Sequence, residues 1–189
     1  GNYKDGKKDG KWVWYSGYMN NSEQNYKDGI LEGKSTWYYK KDGQISYQGN
    51  YKEGRREGKW TQFFENGQIS NKENYKGGRR EGKWTHFYEN GQISSEHNYK
   101  DGDEYGKSTW YYENGQIQFE INYKGCCGEY SNSFKNGKYT SFYENGQIEF
   151  ETNYKNDKQD GKYTLYHENG EIYEEGNYKD GELIDFKKY

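Results

Sequence analysis

The four arginines of this chain occur as two adjacent pairs, and each pair is followed by the same Glu-Gly-Lys-Trp sequence. The pairs are Arg55, Arg56 and Arg79, Arg80, with Glu57 and Glu81 directly after them. A planar guanidinium binds a carboxylate or a phosphate through two parallel hydrogen bonds, which a lysine cannot reproduce. The pairs therefore predict a binding site for an acidic surface or a phosphorylated group. The alternative is a charged loop that only faces water.

Cysteine and histidine give weaker indications of chemistry. Cys126 and Cys127 are adjacent and are the only cysteines, so a redox or metal role competes with a plain surface loop. The second cysteine pair that a structural zinc site needs is missing. His86 and His97 are expected on one face of a sheet with no carboxylate clearly joining them, which favours packing or solvent-facing roles, and His167 stands alone. We predict no metal site and no cofactor.

The sequence also lacks the patterns on which catalysis is usually built. No nucleophile–base pair, no phosphate-binding glycine loop before a helix and no carboxylate pair in an apolar pocket can be recognised. We predict no catalytic residues, and we expect the chain not to be an enzyme.

A short repeat organises the whole chain. The triplet Asn-Tyr-Lys recurs at intervals of 23, 25, 24, 24, 24, 31 and 24 residues. A period near 24 residues over seven intervals indicates an array in which each unit packs on its neighbours. We therefore predict one continuous domain over residues 1–189, with an atypical first unit at 1–26, an inserted connection at 124–137 and a half-unit cap at 177–189.

Residues 82–100 contain the unit in its clearest form. Trp84–Glu89 and Gln92–Tyr99 are rich in the aromatic and β-branched residues that strands favour. Asn90-Gly91 between them predicts a type I′ turn, because both central residues of that turn need positive φ. The remaining residues make a charged connection to the next unit.

A two-residue turn at each Asn-Gly fixes which side chains share a face. The packing face is predicted to hold one large ring slot per unit, filled by Trp84 in one unit and by Trp110 in the next. In the latter unit the predicted packing face is Ser108, Trp110, Tyr112, Ile117, Phe119, Ile121 and Tyr123.

The opposite face is predicted to be polar except for one ring in each unit. A row of exposed rings suits an extended peptide or a sugar chain, and the alternative is that each ring covers its own hairpin. The rings of this row that we expect to contact a partner are Tyr38, Phe63, Phe87, Tyr111 and Phe142.

Composition agrees with an all-β fold. Aromatic residues make up 20% of the chain, proline is absent and the mean hydropathy is -1.62. Rings bury enough apolar area to order such a polar chain, and the missing proline suits uninterrupted strands. We predict an elongated, open, single-layer antiparallel sheet of about seven consecutive hairpins. The net charge of -3 gives no indication of nucleic-acid binding, and no apolar run is long enough to span a membrane.

The motif Tyr-Glu-Asn-Gly, followed by Asn-Tyr-Lys-x-Gly-x-x-x-Gly-Lys, resembles the MORN repeat. It is most similar to the bacterial variant of that repeat found in antitoxins of toxin–antitoxin pairs. The resemblance implies successive hairpins without shared catalytic residues, and roles in protein scaffolding, membrane-lipid association or toxin neutralisation. The residues that carry it are Tyr88-Glu89-Asn90-Gly91, Tyr99, Gly102, Gly106-Lys107 and their counterparts.

The sequence thus predicts a non-enzymatic scaffold that binds another protein, in the manner of an antitoxin or of a general interaction module. The alternative is a surface module that binds anionic lipid head groups or glycans. A monomer is favoured and no nucleic-acid partner is expected. The residue usage is typical of AT-rich bacterial genomes. The sequence leaves the compartment open between the bacterial cytoplasm and, if an upstream signal segment has been removed, the cell surface or periplasm.

Overall fold

The computed structural model describes residues 1–15, 21–125 and 133–189, and Cys126 and Cys127 lie outside these residues. Every helix-or-strand element in the described ranges is a β-strand, and neighbouring strands pair antiparallel. The predicted all-β fold of successive hairpins is confirmed. Within these ranges there is also no apolar helix of the length that a bilayer crossing needs. Two compact units make up the chain, Gly1–Gly91 and Gln92–Tyr189.

In the first unit, strands pair in the order in which they occur in the chain. β8 and β9 both pair with β7, because Glu81 interrupts a single strand. The strands are β1 (Asn2–Lys4), β2 (Lys7–Trp14), β3 (Asn21–Lys27), β4 (Ile30–Tyr38), β5 (Ile45–Lys52), β6 (Arg55–Phe63), β7 (Ile69–Lys76), β8 (Arg79–Arg80) and β9 (Gly82–Phe87).

The second unit repeats this pattern. Tyr105 and Asp160 interrupt strands as Glu81 does, so β11 and β12 both pair with β10, and β16 and β17 both pair with β15. The strands are β10 (Ile93–Lys100), β11 (Asp103–Glu104), β12 (Gly106–Tyr111), β13 (Ile117–Lys124), β14 (Phe134–Phe142), β15 (Ile148–Lys155), β16 (Lys158–Gln159), β17 (Gly161–Tyr166), β18 (Ile172–Lys179) and β19 (Glu182–Lys188).

The tight two-residue turns lie in the charged connections between repeats. At Asp28-Gly29 both residues have positive φ, 51° and 85°, and Lys27 pairs directly with Ile30 across the turn. Positive φ at both central residues defines the type I′ turn, whose twist matches that of the flanking strands. Aspartate and glycine tolerate this conformation well, which explains why Asp-Gly recurs at these connections.

The Asn-Gly loops are of a different kind, and the predicted type I′ turn at Asn90-Gly91 is wrong. Only the glycine has positive φ there, 85° at Gly91, and its N–H donates to the carbonyl of Tyr88 at 2.9 Å. This is a three-residue loop in which a type I turn is followed by a left-handed glycine. The asparagine acts through its side chain, as Asn66 Oδ1 accepts the N–H of Gln68 at 2.9 Å.

The longer loop moves the second strand by one residue near each turn. In the hairpin β12–β13, Trp110 pairs with Phe119 as predicted, but the register then shifts and Tyr111 pairs with Ile117. Directly opposed residues share a face, so Ile117 lies beside Tyr111 and not on the face of Trp110. The predicted place of Ile117 on the packing face with Tyr112 is therefore wrong.

The core of the first unit is a layer of rings on one side of the sheet, which we call the aromatic face. Trp60 is completely buried at its centre. Its ring centroid lies 5.8 Å from that of Trp37, 4.9 Å from Tyr47, 5.0 Å from Tyr51 and 6.3 Å from Tyr75. The rings therefore join neighbouring hairpins to one another.

The second unit has the same layer with different residues. Trp110 stacks on Phe119 with 4.3 Å between ring centroids, and Ile121 and Tyr163 are buried. The first packing position is buried in the hairpins β12–β13 and β17–β18, at Ser108 and Tyr163. In β12–β13 this position is a serine, the buried Ser108, and the tryptophan of the hairpin, Trp110, lies two residues further along the strand. This agrees with the predicted alternation of serine and tryptophan at the first packing position.

Gly49 gives this packing a direct test. A methyl group on its Cα would lie 2.0 Å from Cδ2 of Trp60. We expect Gly49→Ala to lower the free energy of unfolding by about 1–3 kcal/mol, because overfilling a packed core forces side chains to move. In a Trp60→Leu background, where the rigid indole is gone, the cost should fall. Denaturant unfolding of the double-mutant cycle measures this coupling.

The neighbouring change Gln48→Ala serves as the control, since Gln48 faces the other side of the sheet, and it should alter stability by no more than about 0.5 kcal/mol. An equal cost of Gly49→Ala in both backgrounds would show that the indole does not occupy this space.

Candidate interaction surface

Both arginine pairs follow tight turns at one rim of the first unit. Arg55 pairs with Lys52 next to the turn, and Arg56 pairs with Tyr51. Arg79 and Arg80 repeat this arrangement in the next connection. Because successive residues of a strand face opposite sides, each pair sends one guanidinium to each face of the sheet. Arg55 is exposed and Arg56 is half-buried.

Arg56 is held among the rings of the aromatic face. Its guanidinium carbon lies 4.9 Å from the ring centroid of Trp60 and 5.2 Å from those of Tyr47 and Tyr75. Its Nη1 also donates a hydrogen bond to the hydroxyl of Tyr75 at 2.8 Å. Arg80 similarly lies 5.0 Å from the ring centroid of Trp84. These two arginines thus stabilise the fold through contacts that the sequence analysis did not foresee.

A carboxylate completes the cluster around Arg56. Glu73 Oε2 accepts hydrogen bonds from the hydroxyls of Tyr47 at 2.7 Å and Tyr75 at 3.1 Å. Burial raises the pKa of both phenols, and the charge of Glu73 raises them further. An open depression of about 580 Å³ lies over the cluster and is lined by Trp37, Tyr39, Ser46, Tyr47, Arg56, Gln62 and Glu73. It presents polar groups that are already hydrogen-bonded to one another.

The predicted ring row lies on the other side of the sheet, which we call the second face. In the first unit Tyr38 pairs with Ile45 and Phe63 pairs with Ile69, and all four side chains are half-buried. Phe87 is also half-buried. The isoleucines were missed by the sequence analysis, because the register shift that brings them to this face could not be seen in the repeat pattern.

The second unit carries an equivalent row. Tyr111, Phe142 and Tyr166 pair with Ile117, Ile148 and Ile172, respectively. Beside each ring lies a buried threonine, as at Thr109, Thr140 and Thr164. Rings and isoleucines therefore form apolar strips in a face that is otherwise charged.

The histidines have partners of different kinds. His86 Nδ1 lies 2.7 Å from Asn71 Oδ1. His97 Nδ1 lies 2.5 Å from Glu104 Oε1, and its Nε2 lies 3.1 Å from Ser95 Oγ. The expectation that no carboxylate joins these histidines is thus wrong for His97, because the interrupted strand turns Glu104 towards it.

Serine, histidine and glutamate in this order resemble the arrangement that activates a nucleophile. Ser95 is only 7% exposed, and Trp110 packs edge-on against His97 with 4.8 Å between ring centroids. A nucleophile has to reach its substrate, and this hydroxyl is enclosed by the aromatic face. The cluster is a packing element of the second unit.

Metal binding finds no support in the described ranges. No group of three or more histidine, cysteine, aspartate or glutamate side chains there could hold an ion.

The placement of the arginines gives a matched pair of substitutions. We expect Arg56→Ala to lower the free energy of unfolding by about 1–3 kcal/mol, because it removes stacking on three rings and one hydrogen bond. Arg55→Ala should change it by no more than about 0.5 kcal/mol, since Arg55 is exposed. Denaturant unfolding of both variants provides the comparison, and a larger effect at Arg55 would contradict the assignment of faces.

The phenols of the aromatic face predict how stability depends on alkaline pH. Burial raises the pKa of Tyr123 to about 12, with the charges of Glu104 and Asp157 adding to the effect. A raised pKa in the folded state means that the neutral phenol is favoured there. Its contribution to stability is present below pH ~10, the unperturbed value, and is lost as the pH rises towards 12.

We therefore expect unfolding free energies to fall steeply between pH ~10 and 12, with less decline for Tyr123→Phe than for the wild type. Denaturant unfolding at a series of pH values measures the slope, and tyrosinate absorbance shows whether ionisation accompanies unfolding. Identical slopes for the two proteins would mean that Tyr123 is not enclosed as described.

Comparison with solved structures adds little to this description. A crystal structure of a porin-like protein from Bacteroides uniformis matches with 7% sequence identity, over 95% of this chain and 95% of that chain, at a TM-score of 0.23. A TM-score this low carries no argument about fold or function. No curated protein matches the chain.

Comparison with family descriptions is decisive. The MORN repeat variant matches at residues 56–76, 80–101, 104–124, 135–156 and 159–180. Together these segments cover more than half of the chain, and each contains one Asn-Gly loop and residues of the packed strands on both sides of that loop. The chain therefore belongs to the family of the MORN repeat variant.

Proposed function

We propose that this chain is a non-enzymatic scaffold that binds another protein through the second face of its sheet. MORN repeats are in general non-catalytic modules that bind proteins or membranes. The observation that carries the proposal is the apolar strip on the second face. In the first unit this strip consists of Tyr38, Ile45, Phe63, Ile69 and Phe87, all half-buried.

The difference between the two faces supports this choice. Rings of the aromatic face pack on one another, whether they are buried, like Trp60, or half-buried, like Trp37 and Tyr47, and they are used in holding the fold. Rings of the second face are only half covered and are bordered by charged side chains. Apolar groups within a polar surround are typical of surfaces that bind other macromolecules. In the second unit, Tyr111 and Phe142 are the corresponding contact residues.

The exposed arginines add a second contact at the rim. Arg55 and Arg79 occupy equivalent positions beside successive tight turns, and both are exposed. They suit carboxylates of a partner through bidentate hydrogen bonds. Arg56 and Arg80 support this rim from the aromatic face, where their guanidinium groups lie over rings.

Neutralisation of a toxin is a narrower form of the same proposal. It rests on the sequence resemblance of the repeat motif to bacterial antitoxins, and the contact surface would be the one described here.

Capture experiments test the protein-binding function. Proteins retained by the immobilised full chain from an extract of its source cell are identified and compared with those retained by Phe63→Ser/Phe87→Ser. We expect a partner that binds the wild type and is lost with this variant. Gln62→Ser is the control on the other face, since Gln62 is exposed on the aromatic side, and it should retain the partner.

Thermal melting of both variants separates loss of binding from loss of folding. Sedimentation with anionic vesicles at low and moderate salt tests the rival function. Salt-sensitive sedimentation of the wild type, together with no captured protein that depends on Phe63 and Phe87, would replace the proposal by lipid binding.

A further inference from the structure

Most hairpins neutralise the lysine of their second face with a glutamate from the paired strand. Lys11 Nζ lies 2.7 Å from Glu23, and Lys162 Nζ lies 2.5 Å from Glu175. The same ion pair joins Lys107 to Glu120 and Lys138 to Glu151. Lysine and glutamate occupy fixed positions in these hairpins, and the glutamate is opposite a threonine or valine in the register.

Two consecutive hairpins of the first unit depart from this rule. In β4–β5 the residue opposite Thr36 is Gln48, and in β6–β7 the residue opposite Thr61 is Lys72. The lysine of the second hairpin, Lys59, therefore meets another lysine at the position where the other hairpins supply a carboxylate.

Because these two hairpins lack the glutamate, several lysine ammonium groups lie together on the second face. Lys34, Lys59 and Lys72 are exposed, and in the described part of the chain no carboxylate lies within ion-pair distance of any of them. Glu23 is the acidic residue whose charge reaches Lys34, but a hydrogen bond from Lys11 already holds Glu23 and lowers its pKa.

An open depression lies over Lys59 and Lys72. It measures about 550 Å³ and is lined by Lys59, Trp60, Thr61, Lys72, Glu73, Asn74, Lys83 and Thr85. The carboxylate of Glu73 faces the opposite side, where it accepts hydrogen bonds from Tyr47 and Tyr75. Lys72 Nζ lies 5.2 Å from the ring centroid of Phe87, so the positive charge borders the apolar strip.

Two like charges in neighbouring positions of a sheet lower its stability. The hairpin β6–β7 retains this cost even though the other hairpins show that a glutamate fits the same position. We propose that Lys34, Lys59 and Lys72, here called the lysine track, bind an extended acidic segment of the partner protein. The inference rests on the proposed protein-binding function and specifies the chemistry of the segment bound.

Strand spacing determines which acidic segment fits. Lys34 and Lys59 occupy equivalent positions on β4 and β6, which are two strands apart in the sheet order. With ~4.8 Å between strands, equivalent positions are roughly 10 Å apart. A polyproline II segment advances ~3.1 Å per residue with three residues per turn, so every third side chain returns to one side after roughly 9 Å. The track therefore selects acidic residues at every third position.

Peptide titration tests this spacing with the full chain. The probe is a twelve-residue peptide of repeated Glu-Pro-Pro, and its control has the same composition with the glutamates clustered at one end. Calorimetry at low and moderate salt should show that the periodic peptide binds more tightly, and that salt weakens binding because the charges are exposed. Equal affinity for both peptides, or none for either, would overturn the proposal.

Lys72→Glu is the sharpest variant, because it gives β6–β7 the ion pair that three hairpins of the second unit already have. We expect affinity for the periodic peptide to fall by roughly tenfold or more, while the melting temperature stays the same or rises. Lys138→Glu, in the second unit, changes net charge by the same amount and should leave peptide affinity unchanged. A Lys72→Glu protein that binds as tightly as the wild type would overturn the proposal.

Capture of the cellular partner separates this inference from the proposed function. If Lys72→Glu retains a partner that Phe63→Ser/Phe87→Ser loses, protein binding stands and the lysine track is rejected. If the track binds anionic vesicles but not the periodic peptide, its ligand is a lipid head group and the acidic segment is rejected. Loss of the partner with Lys72→Glu, at an unchanged or raised melting temperature, supports both.

Discussion

Contact between rings of neighbouring hairpins is the interaction on which this structure depends. A single hairpin buries little apolar surface, and the sheet in each unit has no second layer of strands or helices described against it. Trp60 on β6 instead meets rings from β4, β5 and β7, so one residue joins four strands. Stability in such an array is a sum of nearest-neighbour terms, and loss of one ring weakens the contacts on both sides.

Hydrogen bonds at the two rims fix the spacing that ring packing requires. At the Asn-Gly rim, the hydroxyl of Tyr143 donates to the carbonyl of Tyr166 at 2.7 Å, one repeat further on. At the other rim, the N–H of Gly54 donates to the carbonyl of Leu31 in the preceding connection at 2.9 Å. Tyrosine and glycine therefore recur in the motif because each contributes to the contact between repeats, in addition to shaping its own turn.

The repeat pattern predicted much of the fold, since strands, hairpins and the aromatic face follow from period and alternation. It did not predict which turn is tight, because Asn-Gly and Asp-Gly are both hairpin signals. That choice determines the register near the turn, and a shift of one residue moves a side chain to the other face. Ile117 was misplaced for this reason. The contacts of Arg56 and Glu104 depend on strands that are distant in sequence, so no local pattern revealed them.

The sheet tolerates unfavourable charges on its second face because its stability comes mainly from ring packing on the aromatic face. The hairpin β6–β7 carries the like-charged Lys59 and Lys72 on its second face, and on its aromatic face it carries buried Trp60 and Tyr75 with Arg56 over both rings. Ring burial contributes several kcal/mol, whereas exposed charges alter stability by ~1 kcal/mol or less. The aromatic face therefore leaves the second face free to vary in charge from one hairpin to the next. Within one repeated backbone, the charge of the second face changes through single residues such as Gln48 and Lys72, while the ring packing that holds the hairpins together recurs along the chain.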